Sequence, residues 1–157
     1  MTSSPSPLAG LWDKTYQVAV VVRDLERAVS FYEALGIGPF TAGPSASTVR
    51  RHVYGQNSPE TRIEGRVARL GPIEFELLCP VSGPSVQGDF LESRGEGVIH
   101  VCAYTDDLDR DITLMESAGY NVISYGELDD GGKFAYFDTR EVGGLIFELF
   151  ERGSVHR

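Results

Sequence analysis

A chain of 157 residues and 17.2 kDa is long enough for one domain, or for two half-sized units that share a core. With 14 Lys and Arg against 23 Asp and Glu its formal charge is −9, and such a surface repels nucleic acid and anionic membranes. No apolar stretch reaches the roughly 18 residues that a membrane helix requires. We therefore expect neither a nucleic-acid nor a membrane partner, but a small-molecule one.

The cysteine content and the chain ends indicate the compartment. Cys79 and Cys102 lie inside apolar runs and form neither a spaced framework nor a C-x-x-C pair, which favours a reducing environment. Residues 1–13 are rich in Ser and Pro and lack the apolar core of a signal peptide, so we predict a disordered tail there. Residues 153–157, with His156, are predicted to be a second tail. We predict a cytoplasmic protein.

An internal repeat organises the chain. Segment 17–36 aligns without a gap with segment 100–119, and Phe75-Glu76-Leu77 matches Phe147-Glu148-Leu149. We therefore infer a duplicated unit of about 70 residues. The identical pairs of the longer match are Val18/Val101, Asp24/Asp107, Leu25/Leu108, Arg27/Arg110, Glu33/Glu116 and Gly36/Gly119.

Both copies predict the element order βαβββ. An apolar strand (16–22 or 99–105) leads into an Asp that can cap a helix, and a Gly ends that helix. Three further strands follow, predicted at 48–55, 61–70 and 73–79 in the first copy and at 121–128, 133–139 and 145–151 in the second. Helical spacing predicts that the core-facing helix residues are Leu25, Ala28, Val29, Tyr32 and Leu35, and Leu108, Ile112, Met115 and Ala118.

These elements predict an α+β protein in which two βαβββ units form a cupped mixed sheet. The first unit is expected at 14–80 and the second at 99–152. Residues 81–98 would link them, with a short helix over 87–94. Because short strands in a curved sheet leave open edges, a twofold homodimer is also expected.

Four polar residues occupy matching positions in the repeats. Gln17 and His100 open the first strands, and Glu76 and Glu148 lie in the last strands, so a pseudo-twofold axis would bring the four together. Two carboxylates, an imidazole and an amide oxygen suit one divalent metal ion. The alternative is structural: a solvent-facing Glu and a hydrogen-bonded His. Against it, Glu76 has apolar neighbours, and an unpaired buried carboxylate is costly.

The chain resembles the vicinal oxygen chelate superfamily, which includes glyoxalase I, methylmalonyl-CoA epimerase and extradiol dioxygenases. The resemblance covers residues 16–151 and is carried by the duplication, by segment 17–36 with the following Ile-Gly-Pro-Phe, and by the phrase Phe137-Asp-Thr-Arg-Glu-Val-Gly-Gly-Leu-Ile-Phe-Glu-Leu. Segments 76–80 and 90–104 are most similar to the epimerase branch. Epimerases have a His where this chain has Gln17, and often a His-His pair where it has Ile99-His100.

The resemblance places the metal ligands on Gln17, Glu76, His100 and Glu148, a set similar to that of animal-type glyoxalase I. It implies one divalent ion, with Zn, Ni, Co, Mn and Mg all open. Such a site would stabilise an enolate while a carboxylate removes a proton α to a carbonyl or thioester. Glu148 is the first candidate for the base and Glu76 the second. Epimerase, isomerase and glyoxalase-type lyase activities all share this step.

Two alternative functions make different demands on these four positions. A ring-cleaving dioxygenase requires two His ligands and one carboxylate on iron, and the four positions contain one His. A non-catalytic protein that sequesters a small molecule in the same cup remains open, because a fold does not determine a function.

Four further polar residues are secondary candidates. His52 would line the pocket or lie on the surface, and Glu64 would be a second acid/base group or, more simply, face solvent. Cys102 and Tyr104 alternate with His100 along one strand, so they are predicted to form the pocket wall.

Overall fold

The computed structural model describes residues 4–43 and 47–154, and it places ten strands and three helices in that part of the chain. His156 lies outside the described residues. The elements are β1 (Thr15–Val21), α1 (Leu25–Ala34), β2 (Thr41–Ala42), β3 (Thr48–Val53), β4 (Gln56–Asn57), β5 (Arg62–Leu70), β6 (Ile73–Ser82), α2 (Val86–Arg94), β7 (Gly97–Thr105), α3 (Leu108–Ser117), β8 (Val122–Leu128), β9 (Lys133–Phe137) and β10 (Ile146–Glu151).

All ten strands form one mixed sheet in the order β2-β5-β6-β1-β7-β10-β9-β8-β3-β4. The first strands of the two repeats, β1 and β7, pair antiparallel at its centre. Each is flanked by the last strand of its own repeat in parallel, β6 beside β1 and β10 beside β7. The predicted α+β fold with a curled mixed sheet is therefore confirmed.

One hairpin crosses between the repeats. β3 and β4 belong to the first repeat in sequence, yet β3 pairs with β8 of the second, with Arg51 opposite Gly126 and Val53 opposite Ser124. The place beside β5 is taken by the two-residue strand β2. It corresponds to the place that β8 has beside β9 in the second repeat. The sequence analysis assigned the strand at 48–55 to the first unit, because alternation of side chains specifies the faces of a strand and not its neighbour.

The repeat helices begin and end as predicted. The Asp24 and Asp107 side chains accept hydrogen bonds from the backbone N–H of Arg27 and Arg110, each at 2.9 Å. The predicted linker helix is α2, which Ser85 caps and Gly95 ends. Leu35 and Ala118 differ from their predicted core positions: each directly follows the last turn of its helix and is exposed, Leu35 over 63% of its surface.

The apolar residues form clusters on both faces of the sheet. On one face lies a cluster that includes Ala19, Ile99, Phe134 and Tyr136 and is joined by Val86 and Leu91 of α2. On the other face, one cluster includes Leu108 and Met115 of α3 and another includes Leu25 of α1. We call the face covered by α2 the inner face and the face covered by α1 and α3 the outer face.

The segment before β1 differs from the expected disordered tail over its described part, residues 4–13. Leu8, Leu11 and Trp12 pack against the outer-face cluster beneath α3. The Trp12 ring meets Phe147 edge-on at 4.8 Å between centroids. Partial burial of these three large apolar side chains outweighs the turn-forming composition of the segment. No helix in the described ranges is long and apolar enough to cross a membrane.

Gly126→Ala is expected to destabilise the protein by about 1–3 kcal/mol, because an added methyl group overpacks a filled site. A Cβ at Gly126 would stand 2.3 Å from two ring carbons of Phe134. The matched control is Gly97→Ala in β7, where the nearest atom to a new Cβ is 4.0 Å away. Urea unfolding of the three proteins measures the difference. Equal unfolding free energies for wild type and Gly126→Ala would contradict this packing.

Candidate active site

Four adjacent strands at the centre of the sheet each contribute one polar side chain to the same place. β1 carries Gln17, β6 carries Glu76, β7 carries His100 and β10 carries Glu148. His100 is 0% exposed and the other three are each 7% exposed. The four residues that the repeat singles out thus lie together in the core, and one chain supplies them all.

The three oxygen donors converge on one nitrogen. His100 Nε2 lies 3.1 Å from Gln17 Oε1, 3.0 Å from Glu148 Oε2 and 3.5 Å from Glu76 Oε2. A single N–H cannot satisfy three acceptors. The other ring nitrogen, His100 Nδ1, has no hydrogen-bond partner among the described residues. The buried centre therefore holds more acceptor oxygens than its one donor can serve.

The donor set fits a divalent cation by ligand type and by charge. Nitrogen and oxygen ligands bind such ions at about 2.0–2.2 Å, which leaves neighbouring ligands about 3 Å apart. Two carboxylates with a neutral imidazole and an amide balance the charge of a divalent ion. Within residues 4–43 and 47–154, no three His, Cys, Asp or Glu side chains are already arranged as a metal-binding cluster. The fit therefore depends on the donor chemistry of the four residues.

The electrostatics of the centre favour a proton shared between Glu148 and His100. Burial, the largest effect, raises the pKa of Glu148 to about 7; the neighbouring Glu76 adds to this and His100 opposes it. Burial alone would lower the pKa of His100, but Glu148 and Glu76 raise it above its ordinary value. Without a bound cation, the Glu148 carboxyl group is thus poised to gain or lose a proton near neutral pH.

A fifth residue holds the Gln17 amide. Gln17 Nε2 donates a hydrogen bond of 2.6 Å to Glu74 Oε1, and the two residues are register partners in β1 and β6. Since the amide nitrogen is turned to Glu74, the amide oxygen faces His100. Glu74 was not predicted from the sequence, although its spacing of two from Glu76 places both on one face of a strand.

The wall on one side of the centre is formed by β9. The rings of Tyr136 and His100 are 5.0 Å apart, and Phe134 lies 5.8 Å beyond Tyr136. Gln87 of α2 donates a hydrogen bond of 3.2 Å to the Tyr136 hydroxyl. Burial raises the pKa of Tyr136 well above its ordinary value, so the phenol stays protonated.

The opposite wall contains the predicted residues Cys102 and Tyr104, joined by Tyr16. The Cys102 thiol donates to the Tyr16 hydroxyl at 3.6 Å, and the Tyr16 and Tyr104 rings stack at 3.7 Å. The Arg152 guanidinium covers Tyr104 at 3.8 Å from its centroid. Burial raises the pKa of the Cys102 thiol well above its ordinary value, which keeps it from acting as a thiolate.

Two secondary candidates lie away from the centre. Half-buried His52 packs near Tyr125, whose ring is 6.3 Å away and which belongs to the outer-face cluster. Glu64 is exposed on β5. A cavity of about 370 Å³ lies beside β3 and contacts none of the four central residues. It is lined by Thr48, Val49, Arg50, Arg51, Asn57, Ser58, Pro59 and Thr61.

Fold and site define a class of protein: two βαβββ repeats in one curled sheet, with nitrogen and oxygen donors gathered where the repeats meet. The family model of the glyoxalase/bleomycin resistance protein/dioxygenase superfamily matches residues 16–136. The chain belongs to this superfamily.

Individual relatives are distant. The chain is 23% identical over 143 residues to the Bacillus subtilis (strain 168) protein named "Uncharacterized protein YqjC", covering 88% of this chain and 93% of that protein. The crystal structure of methylmalonyl-CoA epimerase from Mycobacterium tuberculosis has a TM-score of 0.61 at 20% identity, covering 89% of this chain and 88% of that one. A methylmalonyl-CoA epimerase in complex with methylmalonyl-CoA and NH4+ also has a TM-score of 0.61 at 20% identity, covering 90% of this chain and 96% of that one. At these identities the likeness shows the fold.

Proposed function

We propose that the protein is a metal-dependent isomerase, epimerase or glyoxalase-type lyase that removes a proton α to a carbonyl or thioester. The observation that carries this proposal is the convergence of three oxygen donors on His100 Nε2 in a buried centre. In this proposal Gln17, Glu76, His100 and Glu148 hold one divalent ion. Bound there, the ion would supply Lewis acidity that stabilises negative charge on a substrate oxygen.

The residues of the chain would perform the proton transfer. Glu148 accepts the proton, and Glu76 is the second candidate for this role. A carboxylate positioned beside the substrate carbon can take this proton and later return it. The site excludes bulk water, since all four donors are at most 7% exposed, and charge interactions are stronger in such a medium.

The substrate class follows from the same step and from the relatives. Methylmalonyl-CoA is a thioester, and the structural relatives named for it share the fold of this chain. Gln17 stands where an epimerase is expected to have a His, and the ligand set is glyoxalase-like. Both 2-acyl thioesters and α-hydroxy ketone adducts are therefore candidate substrates.

Solvent exchange tests the proposal and separates it from a binding protein. In D₂O, metal-loaded protein should incorporate deuterium at the α position of at least one compound in a panel of 2-acyl thioesters and α-hydroxy ketone adducts. NMR measures the incorporation. The second candidate, a sequestering protein, is favoured by the aromatic walls around the centre. Tight binding of one panel member without any exchange would support that candidate instead.

Glu74→Ala is expected to weaken metal binding about 10- to 100-fold, as loss of a residue that orients a ligand typically does. Without Glu74, the Gln17 amide can turn its nitrogen toward the ion. Glu74→Gln is the matched control, because its amide oxygen can still accept the Gln17 N–H at the same position. Competition with a chromophoric chelator measures both affinities. Equal affinities for wild type and Glu74→Ala would contradict the orienting role.

We also propose a homodimer, and static light scattering at micromolar concentration tests it. The outermost strands β2 and β4 have two residues each and cover only part of β5 and β3, so the edges of the sheet remain available for pairing. Phe31 and Leu35, one turn apart on the outer side of α1, are 60% and 63% exposed and offer an apolar contact. The expected mass is about 34 kDa, twice that of the 17.2 kDa chain. A single 17.2 kDa species would contradict the dimer.

A further inference from the structure

Two buried polar side-chain atoms lack a hydrogen-bond partner in the described part of the chain, and both lie near the central site. One is His100 Nδ1, already discussed, and the other is Arg51 Nε. A row of rings connects them: Tyr136 is 5.0 Å from His100, Phe134 is 5.8 Å from Tyr136, and the Arg51 guanidinium lies 5.1 Å over Phe134. Arg51 therefore lies on the inner face of the sheet, separated from His100 by the rings of Phe134 and Tyr136.

Arg51 is a cation without a matching anion. Its Nη2 donates to the Thr48 hydroxyl at 3.2 Å, and no carboxylate among the described residues forms an ion pair with it. Burial lowers the pKa of the Arg51 guanidinium, and the nearby Tyr136 and Glu148 oppose that shift. Arg51 is half-buried and its Nε is enclosed by protein, and a charge withdrawn from water is normally paired, so this arrangement leaves a place for an anion.

We propose that Arg51 binds an oxyanion of the substrate, a carboxylate or a phosphate, that is separate from the oxygens held at the metal. This inference rests on the proposed function, because it assigns the substrate of the same cup. A guanidinium presents Nε and an Nη as a fork that matches two oxygens of such a group. The unpartnered Arg51 Nε is one arm of that fork. The favoured substrate thus has two parts: a head whose oxygens would chelate the metal ion, and an anionic tail that would bind Arg51.

Pairs of 2-oxo acids that share a head and differ in the tail test this assignment. 2-Oxoglutarate is compared with 2-oxovalerate for a carboxylate tail, and phosphonopyruvate with pyruvate for a phosphate-like tail. Calorimetric titrations are made with and without Co²⁺, and the visible Co²⁺ spectrum reports whether the ion is bound. At least one of the two compounds with an anionic tail should bind the wild-type protein more tightly than the compound without that charge with which it is compared. Arg51→Met should reduce that preference about 10- to 100-fold, as loss of a charge-assisted hydrogen bond does.

The control variants separate a specific contact from a general charge effect. Arg51→Lys keeps the charge and should retain part of the preference. Arg50→Gln removes a neighbouring charge that points away, since Arg50 pairs with Glu127 at 2.9 Å and lies over Tyr125 of the outer-face cluster. The Arg50→Gln variant should therefore keep the full wild-type preference for the anionic tail. Thermal melts confirm that each variant is folded.

The outcomes distinguish this inference from the proposed function. Absence of Co²⁺ binding by wild type would contradict the metal site, while a tail preference that depends on Arg51 would still support the oxyanion contact. Co²⁺ binding without any tail preference would overturn the role of Arg51 and leave the metal site intact. An equal loss in Arg50→Gln and Arg51→Met would also overturn it, because it would indicate binding in the cavity that both residues line.

Discussion

Glu148→Gln is expected to lower the rate of α-proton exchange by about 10²- to 10⁴-fold, the usual contribution of a positioned general base. The amide keeps the shape of the side chain and an oxygen donor, but it cannot accept the proton. NMR detection of deuterium uptake with saturating metal measures the rate, so that weaker ion binding does not mimic loss of the base. The compound used is one that the wild-type protein exchanges.

Two variants accompany this measurement. Glu76→Gln is expected to retain more exchange than Glu148→Gln, since Glu148 is the first candidate base. Glu116→Gln removes a carboxylate from an exposed position on α3 and should exchange at the wild-type rate. Loss of exchange in Glu76→Gln with full activity in Glu148→Gln would reverse the two roles. Wild-type exchange in both variants would contradict a glutamate base at this centre.

Glu76→Ala and Glu148→Ala are each expected to lose most of the bound metal. Each change removes one of the two carboxylates that balance the charge of the ion, and leaves it with an amide, an imidazole and one carboxylate. Elemental analysis of protein purified without added metal, with one ion per chain expected in wild type, measures the loss. Stoichiometric metal in both variants would contradict the assigned ligands.

Gln17→His is the informative control for the ligand set. Imidazole replaces the amide without changing the charge at the centre, so this variant should retain its metal. It also restores the His that the epimerase pattern has at this position. Loss of metal in Gln17→His would contradict a site in which imidazole can replace the amide of Gln17 as a ligand.

The repeat in the sequence predicted much of the fold and the members of the central site. Matching Asp and Gly residues mark the ends of α1 and α3, because capping depends on groups within a few residues of the helix terminus. Matching positions in first and last strands singled out Gln17, Glu76, His100 and Glu148. Whether these four bind an ion stays a prediction.

Other features depend on contacts between distant parts of the chain. Alternation along 48–53 shows that one face of this strand is buried, but β8 becomes its neighbour only when the sheet is assembled. Arg51 therefore reaches the inner face of the sheet through a pairing that no local pattern encodes. The N-terminal segment, by its composition, was expected to be disordered, and it packs because the outer face offers Phe147 to Trp12.

The sequence by itself determined the two βαβββ repeats, the helix ends and the identity of the four central side chains, because these follow from local pattern and from duplication. Only the tertiary structure decided that one chain completes the site, that Glu74 turns the Gln17 oxygen toward His100, and that Arg51 stands nearby without a carboxylate partner. The first two depend on distances of about 3 Å between residues that are tens of positions apart in sequence, and the third on the pairing of β3 with β8; both are set by the packing of the whole sheet.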